Sequence, residues 1–122
     1  MVTTVWATCQ FEGVHAWQGV KSLPKADRVE VEYLGNPHRH IFHVHVEVRV
    51  LHDDREVEFQ ILKRRVKAYC DRMLAWPKNG VLSHSCESMA KMIFGYVFKN
   101  VTENVVFVTV SEDGECGATV RG

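Results

Sequence analysis

His38-Arg39-His40-Ile41-Phe42-His43-Val44-His45-Val46 is the stretch on which the reading of this chain turns. The residues alternate, which predicts a β-strand, and in a strand residues two apart point to the same face. His38 and His40 are therefore neighbours on one side of a sheet, and His43 and His45 form a second pair on the other. A rigid strand that offers two imidazoles side by side is suited to holding a metal ion. A third ligand is needed, and His15 is the candidate. Three protein ligands with one open position describe a catalytic zinc centre rather than a structural one. For His43 and His45 a solvated or intersubunit role is the expectation.

Outward from this run, the strand extends from His38 to about Leu51. The turn signal Gly35-Asn36-Pro37 precedes it and His52-Asp53-Asp54 ends it. On the N-terminal side, Thr3 to Phe11 is rich in β-branched and aromatic residues and reads as another strand. Gly19 to Asp27 reads as a loop, and Val29 to Tyr33 alternates like a short extra strand. On the C-terminal side the period changes. Phe59, Leu62, Val66, Tyr69 and Met73 follow helical spacing, so Glu58 to about Ala75 is predicted as an amphipathic helix with Lys63, Arg64, Arg65 and Lys67 on its wet face. Pro77-Lys78-Asn79-Gly80 breaks it. A second helix is expected from about Cys86 to Phe98, burying Met89, Met92, Ile93, Tyr96 and Val97. Ser85 is its N-cap, and Glu87 sits at the positive end of its dipole. Val105 to Glu112 is a strongly β-branched strand, Asp113-Gly114 a tight turn, and Cys116 to Val120 a closing strand.

The order ββααββ predicts an α+β fold: a four-stranded antiparallel sheet with two helices on one face. Such a sheet has two open edges, and pairing with another copy of the chain covers them.

The bulk composition narrows the function classes. A chain of 122 residues suits one domain over residues 1–122, and 46% hydrophobic content allows a packed core. Lys plus Arg equals Asp plus Glu at 15 each, which lacks the basic footprint of a nucleic-acid binder. No run approaches the roughly 20 apolar residues of a membrane span. Residues Met1 to Gly13 lack a positively charged start followed by an apolar block, so no signal peptide is expected. The cysteines Cys9, Cys70, Cys86 and Cys116 are scattered without a CxxC pair, which favours a reduced, cytoplasmic protein. Cys9, Cys86 and Cys116 are expected as small buried residues. A start-of-helix position makes Cys86 a minor nucleophile candidate.

Five segments in order resemble the 6-pyruvoyltetrahydropterin synthase / 6-carboxytetrahydropterin synthase family, of the T-fold group. Phe11-Glu12-Gly13-Val14-His15 resembles Phe-x-Ala-x-His, and His38-Arg39-His40-Ile41-Phe42 resembles His-Gly-His-Asn-Tyr. Val57 to Lys63 resembles the Asp-Phe-x-x-Leu-Lys helix start, with Glu58 for Asp. Ser85-Cys86-Glu87-Ser88-Met89-Ala90 resembles Thr-x-Glu-Asn-Leu-Ala. Glu112-Asp113 resembles the Glu-Thr that ends the third strand. The resemblance implies zinc on His15, His38 and His40. It implies a pterin or purine-like substrate whose ring is anchored by Glu112. Glu87 is the second substrate-binding candidate, beside its plainer role as a helix-start charge. It also implies trimers closed into a β-barrel and stacked as hexamers.

The same comparison exposes two departures. The family's nucleophilic cysteine, four residues before His-x-His, corresponds to Leu34. The Asp-His pair after the first helix is met only by Asp71-Arg72. Glu32, with Asp27 near it, and His84 are the candidates to move protons in their place. Zinc on three neutral imidazoles polarises substrate oxygens or lowers the pKa of bound water to roughly 7. The pterin synthase step also needs an acid-base group to take a carbon-bound proton.

Overall fold

A computed structural model describes residues 1–122. The histidine run lies in β2 (His38–Val50), which pairs antiparallel with β1 (Thr3–His15) along its whole length, from Thr3 opposite Val50 to His15 opposite His38. β4 (Val105–Glu112) pairs with the other edge of β2, placing Glu112 opposite Phe42. β5 (Cys116–Arg121) completes a hairpin with β4.

One face of the sheet is apolar because every second residue is. Phe42, Val44, Val46 and Val48 of β2 line up with Ala7, Cys9 and Phe11 of β1 and with Val108 and Val110 of β4, all buried. Two helices close this face. α2 (Phe59–Met73) buries Leu62, Val66 and Cys70 against it, and α3 (Cys86–Asn100) buries Met89, Ala90, Ile93 and Val97. Each helix starts on a side-chain cap. Glu58 accepts a hydrogen bond from the Ile61 N–H, and Ser85 accepts one from the Ser88 N–H. Gly13 is imposed by packing: a Cβ there would stand 2.8 Å from the Phe42 ring.

The architecture departs from expectation in several places. The sheet has five strands and is not wholly antiparallel, because β3 (Val81–Leu82) pairs in parallel with Val14 and His15. Two residues carry no periodic signal, so this strand was invisible to pattern. There are three α-helices rather than two. Val29 to Tyr33 is no strand: α1 (Lys25–Val31) covers its start and a 3-10 turn (Glu32–Gly35) its end. Its alternation has no partner strand, and Val29 is exposed. The loop expected over Gly19 to Asp27 holds a 3-10 turn (Gln18–Ser22) and the first residues of α1. β1 continues to His15, four residues beyond expectation, because β2 and β3 both pair with its end. The buried stripe of α2 is rotated from the expected one. Leu62, Val66 and Cys70 face the sheet, whereas Phe59 and Met73 are exposed. Cys116 is exposed, not buried.

Candidate metal centre and ring cleft

The site forms at the end of the sheet where β1 finishes and β2 begins. The register sets His15 directly opposite His38, with His40 two residues further along on the same face. The ring centroids of His15 and His38 are 4.4 Å apart, those of His15 and His40 5.2 Å, and those of His38 and His40 4.9 Å. One ring nitrogen from each histidine lies within 4.8 Å of the other two, a grouping able to hold a metal ion. Phe42 forms the apolar floor, edge-on to His15 at 5.4 Å and to His40 at 5.9 Å.

The second nitrogens orient the rings. His38 Nδ1 lies 2.7 Å from the Asn36 carbonyl and His40 Nδ1 lies 2.6 Å from Asp113 Oδ2. A carbonyl and a carboxylate are acceptors, so both Nδ1 atoms donate and both Nε2 lone pairs are bare. The Nε2 atoms of His15, His38 and His40 are all buried without a hydrogen-bond partner. Such orphaned groups are costly unless something fills the site. A neutral imidazole held through Nδ1 by a carbonyl or carboxylate is the usual form of a metal-binding histidine, so the residues fit a zinc ion.

Asp113 is the residue that sequence reasoning missed. The sequence gives it as the start of a turn and as the second half of the Glu112-Asp113 match, with no role for its side chain, and the turn is there: its φ of +55° with Gly114 at +72° reverses the chain between β4 and β5. That left-handed conformation, tolerated by Asp, aims the carboxylate back across the sheet. Oδ1 accepts the Ile41 N–H at 3.0 Å while Oδ2 takes His40. These two donors, His40 first, hold the Asp113 carboxyl below the usual carboxylate range.

Burial holds the His15 imidazole below the ordinary histidine value, against an opposing pull from Glu112. Glu112 Oε1 stands 3.4 Å from His15 Nε2 and Oε2 stands 3.5 Å from His40 Nε2. The spacing suggests ion pairs. Desolvation outweighs the carboxylate, however, so the His15 ring is neutral at pH 7 and its contact is not a charge pair.

A cleft of about 420 Å³ opens beside the triad, within the size range of small-molecule sites. β3 builds its far wall: the Ala16 N–H donates to the Leu82 carbonyl, drawing Ser83, His84 and the start of α3 against His15. Glu87, Glu112, Cys86 and Cys116 also line it. His84 Nδ1 is 3.3 Å from Ser88 Oγ. Leu34 lines the cleft at the position where the resemblance places a thiol. Glu32 is exposed on its 3-10 turn, as Asp27 is on α1, and neither lines the cleft. The Cys86 thiol is pushed up to about 12, first by burial and then by Glu112, Glu87 and Cys116. These outweigh the helix dipole, so the thiol stays protonated.

This layering and topology define a class, the pterin synthase-type α+β fold. The 6-pyruvoyl tetrahydropterin synthase of Caenorhabditis elegans matches with a TM-score of 0.64 and 18% identity, over 100% of this chain and 96% of that one. An uncharacterized protein from Wolinella succinogenes matches with a TM-score of 0.74 and 13% identity, over 100% and 99% of the two chains. No family model matches the sequence, and no curated protein does. At these identities the likeness is one of fold.

Proposed function

We propose that the chain is a zinc-binding protein of the pterin synthase type that takes a pterin or purine-derived ring, such as that of dihydroneopterin triphosphate, into the cleft beside its histidine triad. One observation carries this reading: three buried Nε2 atoms without partners converge on one another, two of them on rings fixed through Nδ1. In this role His15, His38 and His40 hold the ion, which supplies polarisation of substrate oxygens. Glu112 accepts hydrogen bonds from the N–H groups of the ring, with Glu87 at the cleft wall beside it. Phe42 and Leu34 keep water from part of the site. Of Glu32, Asp27 and His84, the three candidates to move protons, only His84 lines the cleft, and we assign it the proton transfer. Glu32 does not line the cleft of its own chain and is given no role there.

Open sheet edges support a homo-oligomer, either a trimer or a hexamer of two trimers. β1 has a partner on its outer side only at Val14 and His15, and the outer side of β5 has none. Trp6, 57% exposed, and Phe59, 53% exposed, stand beside the free part of β1. A second copy pairing β5 along β1 would cover both edges and continue the sheet toward a barrel. No helix is long and apolar enough to cross a membrane. With four free thiols, we propose a cytoplasmic location for this one-domain chain.

A second reading is favoured by Leu34 and by the high Cys86 value: a divergent protein that binds the ring without the standard synthase reaction. The test is elemental analysis followed by turnover. The first reading expects one zinc per chain, lost when His15, His38 and His40 are all changed to Ala. Full metal in that triple variant would overturn both readings. Product from dihydroneopterin triphosphate selects the first, and ring binding without product at any pH selects the second.

A further inference from the structure

We infer, resting on the ring-binding reading above, that Trp17 is the stacking platform of the cleft and restricts it to flat aromatic heterocycles, turning away reduced, puckered rings.

A planar heterocycle has two chemically different surfaces. Its faces are apolar and its edge carries the hydrogen-bonding groups, so a site that recognises it offers a flat apolar wall and a few polar groups. The cleft is divided in this way. Ala16, Trp17 and Leu34 supply apolar surface from the segments that flank the triad, and Glu87 and Glu112 supply carboxylates from α3 and β4. Of the three tryptophans, Trp17 alone lines the cleft, and it is 47% exposed. Trp6 already leans on His45 at 5.4 Å, whereas no aromatic ring or guanidinium of the chain packs on Trp17.

The chain holds this indole in place. The Trp17 N–H donates to the Leu34 carbonyl at 2.7 Å, and Gln18 Nε2 donates to the Gly35 carbonyl at 3.1 Å. These two bonds tie the residues after His15 to those before His38, which sets Trp17 beside Leu34. Val20, buried, anchors the same turn. Gly19 lets the ring lie down: a Cβ there would collide with Trp17 Nε1 and stand 2.8 Å from Cε2. The indole therefore rests against bare backbone, a close approach that glycine permits. A ring fixed before the ligand arrives loses little freedom on stacking. Leu34 stands in the cleft where the resemblance places a thiol, and there it extends the apolar wall. Stacking of a flat base on an aromatic side chain strengthens binding about 5- to 150-fold. The sp3 carbons of a reduced ring break the flat contact and forfeit that gain.

Two probes share one amino-pyrimidinone edge and differ in flatness: neopterin, which is fully aromatic, and tetrahydroneopterin, kept free of oxygen. Their affinities for the full chain are measured by calorimetry. The wild type is expected to prefer neopterin by about 5-fold or more. Trp17→Ala is expected to weaken neopterin binding by about 5- to 150-fold and to level the two probes. Trp17→Leu, which keeps apolar bulk without a π face, is expected to show the same loss. Trp17→Phe is expected to keep most of the affinity and the preference, and these two variants serve if the Ala variant does not fold. Unchanged neopterin affinity in the Ala or Leu variant, or equal wild-type affinity for the two probes, would overturn the proposal. Failure of the underlying reading looks different. Glu112→Gln is expected to weaken both probes alike, and wild-type affinity in that variant would remove the ring anchor while leaving Trp17 in its role. A wild type that binds neither probe would overturn both.

Discussion

β2 carries two histidine pairs of identical spacing, His38/His40 and His43/His45, and they have opposite fates. The first pair points to the face covered by the helices, meets His15 across the strand pair, and is held through Nδ1 by Asn36 and Asp113. The second points to the open face. His45 lies between Trp6 and Phe107, with centroids at 5.4 and 5.2 Å, and faces Thr8 and Thr109 across the neighbouring strands. Its Nε2 is also buried and unpartnered, yet it belongs to no group of three ligands. The difference teaches that a pair of imidazoles is not a site. A third ring, a fixed tautomer and a carboxylate make it a candidate one, and all three reach the first pair from other elements.

The comparison breaks most visibly at the metal. His38→Ala with His40→Ala is expected to abolish stoichiometric zinc, whereas His43→Ala with His45→Ala is expected to retain it; elemental analysis of both double variants decides. Equal loss in both would end the distinction between the two faces.

The next effect is on stability. Phe42 is wholly buried, stacks on Phe11 at 5.2 Å and floors the triad. Phe42→Ala is expected to cost about 3–5 kcal/mol by urea denaturation. Its neighbour Ile41, which is exposed on the open face, is expected to cost no more than about 0.5 kcal/mol when changed to Ala.

A smaller effect sharpens the role of the anchor. Asp113→Asn weakens the hold on the His40 ring, and metal affinity is expected to fall by about 10–100-fold. His43 and His45 have no such anchor to lose.

The smallest effect is in the pH dependence of the metal-free protein. His15 has a folded-state pKa depressed below its ordinary 6.5. As pH falls through 6.5, the unfolded chain gains a proton that the folded one refuses, so this residue lowers stability on the acid side and leaves it unchanged above. Between pH 7.5 and 5.5 the denaturation midpoint of the wild type is expected to fall more than that of His15→Gln. An identical pH slope in the two would remove desolvation as the controlling force at this ring.

Much of the site was legible in the sequence, and the reason is local. The strict alternation of β2 dictates which histidines share a face, because side-chain direction in a strand depends only on parity. Ser85 announced the start of α3 through its capping chemistry, and the β-branched run of β4 announced a strand ending at Glu112. Asp113 was hidden because its type fits a turn equally well whether or not its carboxylate reaches another strand. β3 was hidden because two residues cannot show a period.

By itself, then, the order of residues determined the four antiparallel strands, the two main helices, the facing of both histidine pairs and the candidate ligands, since each depends on neighbours a few positions away. Only the tertiary structure decided that His15 stands opposite His38, that Asp113 and Asn36 set the tautomers, that Glu112 closes on two of the rings, and that β3 brings the start of α3 to the cleft. Those are contacts between segments far apart in the chain. They depend on register and on the packing of whole elements, which no local pattern encodes.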